Sequence, residues 1–126
     1  MSETRKRILV IDDDERLIEA TKGILEAEGF EVHSHTGSLG ATYVMKSVKP
    51  DLVLLDINMP ALSGENLALV FSSNAKTKNI PIVFYSSNDE DSLRYAVSKH
   101  GVRGYICKGN LYDLRKKVRI YVNMTD

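Results

Sequence analysis

A chain of 126 residues fits one compact domain, so residues 1–126 are read as a single domain with every function on one core. Hydrophobic residues at 43% and charged residues at 27% exclude a disordered or low-complexity chain, and 17 basic against 17 acidic side chains leave no net charge to draw it onto nucleic acid or an anionic membrane. Four apolar residues, Ile8 to Ile11, are too few for a signal-peptide core, no later run could span a bilayer, and the single Cys107 cannot form an intramolecular disulfide, so the expected location is the cytoplasm.

Short β-rich apolar runs alternate with longer segments of helical period, the pattern of a parallel sheet covered by helices. Ile8 to Ile11 is wholly apolar, as a strand buried on both faces should be, and ends abruptly at Asp12. From Glu15 to Glu28, Leu17, Ala20, Ile24 and Leu25 follow helical spacing, with Asp14 assigned to capping or solvent and Gly29 placed to stop the helix in a left-handed conformation. Phe30 to His35 reads as the second strand, and Ser38 to Lys49 as a helix with Ala41, Val44, Met45 and Val48 inward, stopped by Pro50.

Leu52 to Leu55 is a second fully apolar strand that again ends at an aspartate, Asp56, followed by the loop residues Asn58, Pro60 and Gly64. A helix from Gly64 to Ser73 carries Leu67, Val70 and Phe71, and Ile80 to Tyr85 supplies the fourth strand, ending at Ser86. Ser87 and Glu90 are spaced as a capping box for a helix that buries Leu93, Ala96 and Val97 and breaks at His100 and Gly101. Arg103 to Cys107 is a fifth strand with Lys108 at its end, and Asn110 caps a last helix with the stripe Leu111, Leu114, Val118, Tyr121 and Val122.

In an open parallel α/β sheet, ligands bind beyond the carboxyl ends of the strands. The residues at those ends are Asp12 and Asp13, Asp56, Ser86 and Lys108. Close carboxylate pairs repel by several kcal/mol at an effective dielectric near ~20, so such a group calls for a cation, and an all-oxygen set suits Mg²⁺. Lys108 brings a second positive charge.

Taken in order, "ILVIDDDE", "DLVLLDINMP", "PIVFYSS" and "GYICKG" resemble the successive motifs of response-regulator receiver domains over nearly the whole chain. The resemblance implies a flavodoxin-like (βα)5 doubly wound parallel sheet of order 2-1-3-4-5. It implies Asp56 as phosphoacceptor, with a histidine kinase or histidine phosphotransfer protein as donor. Asp12, Asp13, Asp56 and the Asn58 carbonyl would hold Mg²⁺ (or Mn²⁺), Asp13 directly and Asp12 through water. Ser86 and Lys108 would contact the phosphoryl oxygens, Tyr105 would turn inward with Ser86 on activation, and Asn58 and Asn88 would tune dephosphorylation. The face of the fourth helix, fifth strand and fifth helix would meet a downstream protein or a second copy. The domain would signal rather than turn over a substrate, and a receiver-fold adaptor that works by binding alone is the alternative. One departure stands out: Gly109 follows Lys108 where the family usually has proline. That favours a trans 108–109 peptide and leaves Lys108 loosely aimed, so its salt bridge to Asp56 is expected to be weak or absent without phosphate.

Other readings carry less. Cys107 is expected to be a small buried hydrophobe, and His33 and His35, two residues apart without a further ligand, are surface residues rather than a metal pair. Arg115, Lys116, Lys117 and Arg119 form a solvated basic face, with partner docking as the minor alternative. A haloacid-dehalogenase-type phosphatase would use Asp12 and Asp14, but Arg16 stands where that family expects Thr or Val. No glycine-rich loop follows a strand, which sets nucleotide binding aside.

Overall fold

The computed structural model describes residues 4–124. Five strands, β1 (Arg7–Asp12), β2 (Glu31–Thr36), β3 (Leu52–Leu55), β4 (Ile82–Ser86) and β5 (Gly104–Cys107), alternate with α1 (Glu15–Ala27), α2 (Ala41–Val48), α3 (Gly64–Ser72), α4 (Glu90–His100) and α5 (Leu111–Val122). All pairings are parallel and the order is β2-β1-β3-β4-β5, as the resemblance implied. Every residue of β3 and β4 is buried, because helices cover both faces. One face packs Leu9, Ile11, Val53, Leu55 and Phe84 against α2, α3 and α4; the other packs Ile8, Val10, Leu54, Val83 and Ile106 against α1 and α5. Among the described residues no helix is long and apolar enough to cross a membrane.

The caps follow local chemistry with one correction. Asp14 accepts from the N–H groups of Arg16 and Leu17, Gly29 takes φ +99° after α1, and Asn110 accepts from the Asp113 N–H. The capping box of Ser87 with Glu90 does not form. Asp89 caps α4 instead, accepting from the Ser92 N–H at 2.8 Å, because the helix starts at Glu90 and Asp89 occupies the position before it.

Several inward stripes also differ from expectation. Ala20, Val70 and Leu111 face solvent, and the buried side of α1 is Ile18, Thr21 and Leu25. Thr21 is a polar residue that a hydrophobic period skips; its hydroxyl lies 3.5 Å from the Tyr85 hydroxyl. Helix α2 begins at Ala41 rather than Ser38, since Gly37 and Gly40 adopt φ +81° and +82°, outside helical geometry. Strand β4 begins after Pro81, whose missing N–H suits a strand entrance, and Thr77 anchors the preceding connection by donating its hydroxyl to the Phe71 carbonyl at 2.6 Å.

Candidate functional site

The parallel register sets the strand ends side by side. Ile11 pairs with Leu55, Leu55 with Phe84, and Ser86 with Cys107, so Ser86 and the residues that follow Ile11, Leu55 and Cys107, namely Asp12, Asp56 and Lys108, gather at one edge. Asp12 and Asp56 are 0% and 3% exposed, whereas Asp13 faces solvent. One carboxylate oxygen from each of Asp12, Asp13 and Asp56 lies within 4.8 Å of the others. Gly64 backs this edge so closely that a Cβ there would stand 1.9 Å from the Asp56 carbonyl oxygen.

Lys108 departs from the expectation of a loose side chain. Its Nζ lies 2.8 Å from Asp12 Oδ2 and 3.3 Å from Asp56 Oδ1, bridging the two buried carboxylates without phosphate. The 108–109 peptide is trans, as expected, and Gly109 adopts φ +94°. Glycine's freedom after Lys108 does not loosen the ion pair, because the Lys108 N–H is itself fixed to the Ser86 carbonyl at 2.9 Å and two carboxylates attract the amine.

Burial pushes the Asp56 carboxyl above the usual range, and the neighbouring Asp12 adds to this against the pull of Lys108 and the Asn58 N–H. Burial alone would lower the Lys108 pKa, but its contacts with Asp12 and Asp56 outweigh that and leave it raised. Three carboxylates therefore face one ammonium. Asp12 Oδ1 accepts from the Asp14 N–H at 3.0 Å, while the buried Oδ2 has the Lys108 charge beside it but no well-directed hydrogen-bond donor. Three carboxylates that share a single ammonium, in an all-oxygen set, fit a hard divalent cation.

Ser86 is fully buried, and its Oγ accepts from the Asn88 N–H at 3.2 Å. Asn58 Nδ2 donates to Asn88 Oδ1 at 2.7 Å, joining the two residues expected to tune dephosphorylation. Tyr105 is half-buried, donating its hydroxyl to Glu90 Oε1 at 3.3 Å, with Lys117 Nζ 5.2 Å from its ring centre. Glu90 and Gly64 escaped the sequence reading, which took Glu90 for a cap residue and Gly64 for a loop signal.

The remaining residues lie apart from this edge's chemistry. Cys107 is only partly buried, packed against the core from its margin. His33 pairs with Glu31 at 2.7 Å and His35 with the Leu39 carbonyl at 2.6 Å, so they form no joint site. On α5, Lys117 pairs with Asp113 and Arg119 with Glu28, while Arg115 and Lys116 are exposed.

The sheet has the flavodoxin-like order and carries an acidic, lysine-bearing crevice at its strand ends, where open α/β sheets bind ligands. The family profile "Response regulator receiver domain" matches residues 8–119, and the chain belongs to that family. It is 34% identical over 108 residues to the CAI-1 autoinducer sensor kinase/phosphatase CqsS of Vibrio cholerae, a match covering 85% of this chain but 16% of CqsS. It is 28% identical over 102 residues to PilH of Pseudomonas aeruginosa, covering 81% of this chain and 84% of PilH. The crystal structure of a response regulator receiver domain protein from Methanospirillum hungatei superposes with a TM-score of 0.83 at 26% identity, covering 95% of each chain.

Proposed function

We propose that the chain accepts a phosphoryl group on Asp56 from a histidine kinase or histidine phosphotransfer protein, and that the phosphorylated form presents an altered α4, β5 and α5 face to a downstream protein. The observation that carries this reading is the Lys108 ammonium set between Asp12 and Asp56 at adjoining strand ends. Phosphoryl transfer needs chiefly positioning and charge neutralisation, and that edge supplies both. An Asp56 carboxylate oxygen bonds to phosphorus while the bond to the donor nitrogen breaks; the nitrogen keeps the electron pair and takes a proton from solvent. Lys108 and the Ser86 hydroxyl meet the transferred oxygens. Asp12, Asp13, Asp56 and the Asn58 carbonyl would hold Mg²⁺ or Mn²⁺, which when bound supplies positive charge for the phosphoryl group.

The hydroxyl of Tyr105 on Glu90 is then the resting arrangement. Drawing Ser86 toward a phosphoryl dianion vacates the space into which Tyr105 turns, changing the outer face of β5 against α4 and α5. That face is also the one proposed for a homodimer, and the location proposed for the protein is the cytoplasm. Intact mass measurement after incubation with phosphoramidate and Mg²⁺ tests the reading. One phosphoryl group is expected on the wild type and none on Asp56→Asn. No gain on the wild type would leave the adaptor alternative, a receiver fold that signals by binding alone.

A further inference from the structure

The 17 basic and 17 acidic side chains cancel overall but are unevenly placed. The acidic crevice stands at the carboxyl end of the sheet, and two adjoining hollows stand at the other end, where β3, β4 and β5 begin. The larger, of about 490 Å³, is bordered by Lys46, Lys49 and Lys76, with Pro50 and Ile80 as its apolar lining. The smaller, of about 230 Å³, continues from Ile80 past Lys78 to Arg103. The Val53 N–H donates to the Pro81 carbonyl at 2.9 Å and the Arg103 N–H to the Ile82 carbonyl at 2.8 Å, so the strand entrances lie side by side.

Among the described residues no carboxylate lines either hollow. Asp51, close to Lys49 in the chain, accepts instead from the Arg7 N–H at 2.7 Å. Arg7, Arg94, Lys117 and Arg119 pair with carboxylates elsewhere, whereas among the described residues Lys46, Lys49, Lys76 and Lys78 pair with none. Unneutralised ammonium groups along one groove favour an anion. Lys49 adds a separate sign. It closes α2 with φ +54° and ψ +61°, a left-handed conformation unfavourable for a residue with a Cβ and open to glycine, so ending the helix does not explain a lysine there.

We infer that this groove docks an acidic segment of a partner protein, an extended stretch in which carboxylates flank apolar residues. Carboxylates meet Lys46, Lys49 and Lys76 at one end and Lys78 at the other, and the apolar residues lie on Pro50 and Ile80 between them. Neighbouring strands lie about 4.8 Å apart, so the groove crosses about 10 Å of sheet; with the reach of the lysines on either side it spans about five or six residues of extended chain. Nucleic acid fits less well. No Phe, Tyr or Trp lines the groove to stack a base, and the cations without an ion pair are lysines, which lack the fork that grips a phosphate in two places. Asp56 stands at the opposite end of the sheet, so docking here is independent of its phosphorylation.

The probe is the peptide acetyl-Glu-Glu-Leu-Leu-Glu-Glu-amide, titrated into the full chain while backbone amide shifts are followed by ¹⁵N NMR. Shifts are expected within 46–50, 76–81 and 100–103, and none at Asp12, Asp13 or Asp56. Lys49→Gln and Lys76→Gln are each expected to weaken binding about two- to fivefold, as loss of one exposed charge pair does, and Lys116→Gln on α5 not at all. Raising salt from about 0.05 M to about 0.3 M should weaken binding several-fold. A peptide with glutamine in place of every glutamate should not bind, and one with serine in place of leucine should bind more weakly; both use the wild-type protein, so they hold even where a lysine variant fails to fold. Shifts centred on α5 or on the acidic crevice, no shifts at millimolar peptide, or equal binding of the glutamine peptide would overturn the docking groove. Tighter binding of tripolyphosphate or of phosphatidylglycerol vesicles at the same residues would assign the groove to phosphate and overturn the acidic-segment reading.

Discussion

Replacing Asp56 by asparagine should make the metal-free protein more stable. At an effective dielectric of about 20, the Lys108 contact at 3.3 Å attracts Asp56 by about 5 kcal/mol. Asp12 and Asp13 each bring a carboxylate oxygen within 4.8 Å, and each repels Asp56 by at least about 3.5 kcal/mol on the same scale. Solvent screening of exposed Asp13 trims the repulsion and burial of Asp56 adds to the penalty, leaving about 2 kcal/mol against the carboxylate. For a domain of this size that is a rise of roughly 8 °C in Tm, measured by circular dichroism in EDTA near neutral pH.

The pH dependence follows from the same burial. The folded protein holds the Asp56 pKa above its unfolded value, so the protonated acid favours the fold below the unfolded pKa and that support is lost as pH rises through the folded pKa. The advantage of asparagine is therefore absent in acid, grows through that interval and levels off above it. Added Mg²⁺ should shrink it, because the wild type keeps the full carboxylate set. A variant less stable than wild type in EDTA near neutral pH would refute this reasoning.

Gly64→Ala drives a Cβ to 1.9 Å from the Asp56 carbonyl oxygen and 2.9 Å from the Ile57 Cα, both backbone atoms, so a loss of at least ~3 kcal/mol is expected in chemical denaturation, with slowed phosphorylation. Ala61 has φ +69° in the loop after Asp56, so Ala61→Gly should stabilise by up to about 1 kcal/mol; a lower denaturation midpoint would contradict the strain. Asp13→Ala should weaken Mg²⁺ binding more than Asp12→Ala in a calorimetric titration. Asp13 is exposed and free to turn onto an ion, whereas Asp12 is held by Lys108 and the Asp14 N–H; equal losses would speak against this division.

The sheet was legible because both faces of β3 are covered, which forces the run Leu52 to Leu55 to be apolar throughout and makes the polar residue after it conspicuous. The same contrast exposed Asp12, Ser86 and Lys108. Side-chain partners were much less legible. The hydrogen bond from Asn58 to Asn88 joins residues 30 apart in sequence, and Tyr105 meets Glu90 across 15, separations at which no local pattern operates. Thr21 escaped because its burial is satisfied by a hydroxyl on another strand, and Ala20 misled because alanine fits either side of a helix. The grip on Lys108 was misjudged by weighing the glycine that follows it above the two carboxylates in front of it.

The central claim is that one carboxylate, that of Asp56, carries the phosphoryl group, and reduction with borohydride tests it most directly. Hydride displaces phosphate from an acyl phosphate and reduces the carbonyl to an alcohol, converting that aspartate to homoserine while free carboxylates stay unreacted. After phosphorylation with phosphoramidate and Mg²⁺, reduction and peptide mass mapping, homoserine is expected at position 56 alone. Homoserine at Asp12 or Asp13, or none anywhere in a protein that had gained a phosphoryl group, would contradict the account.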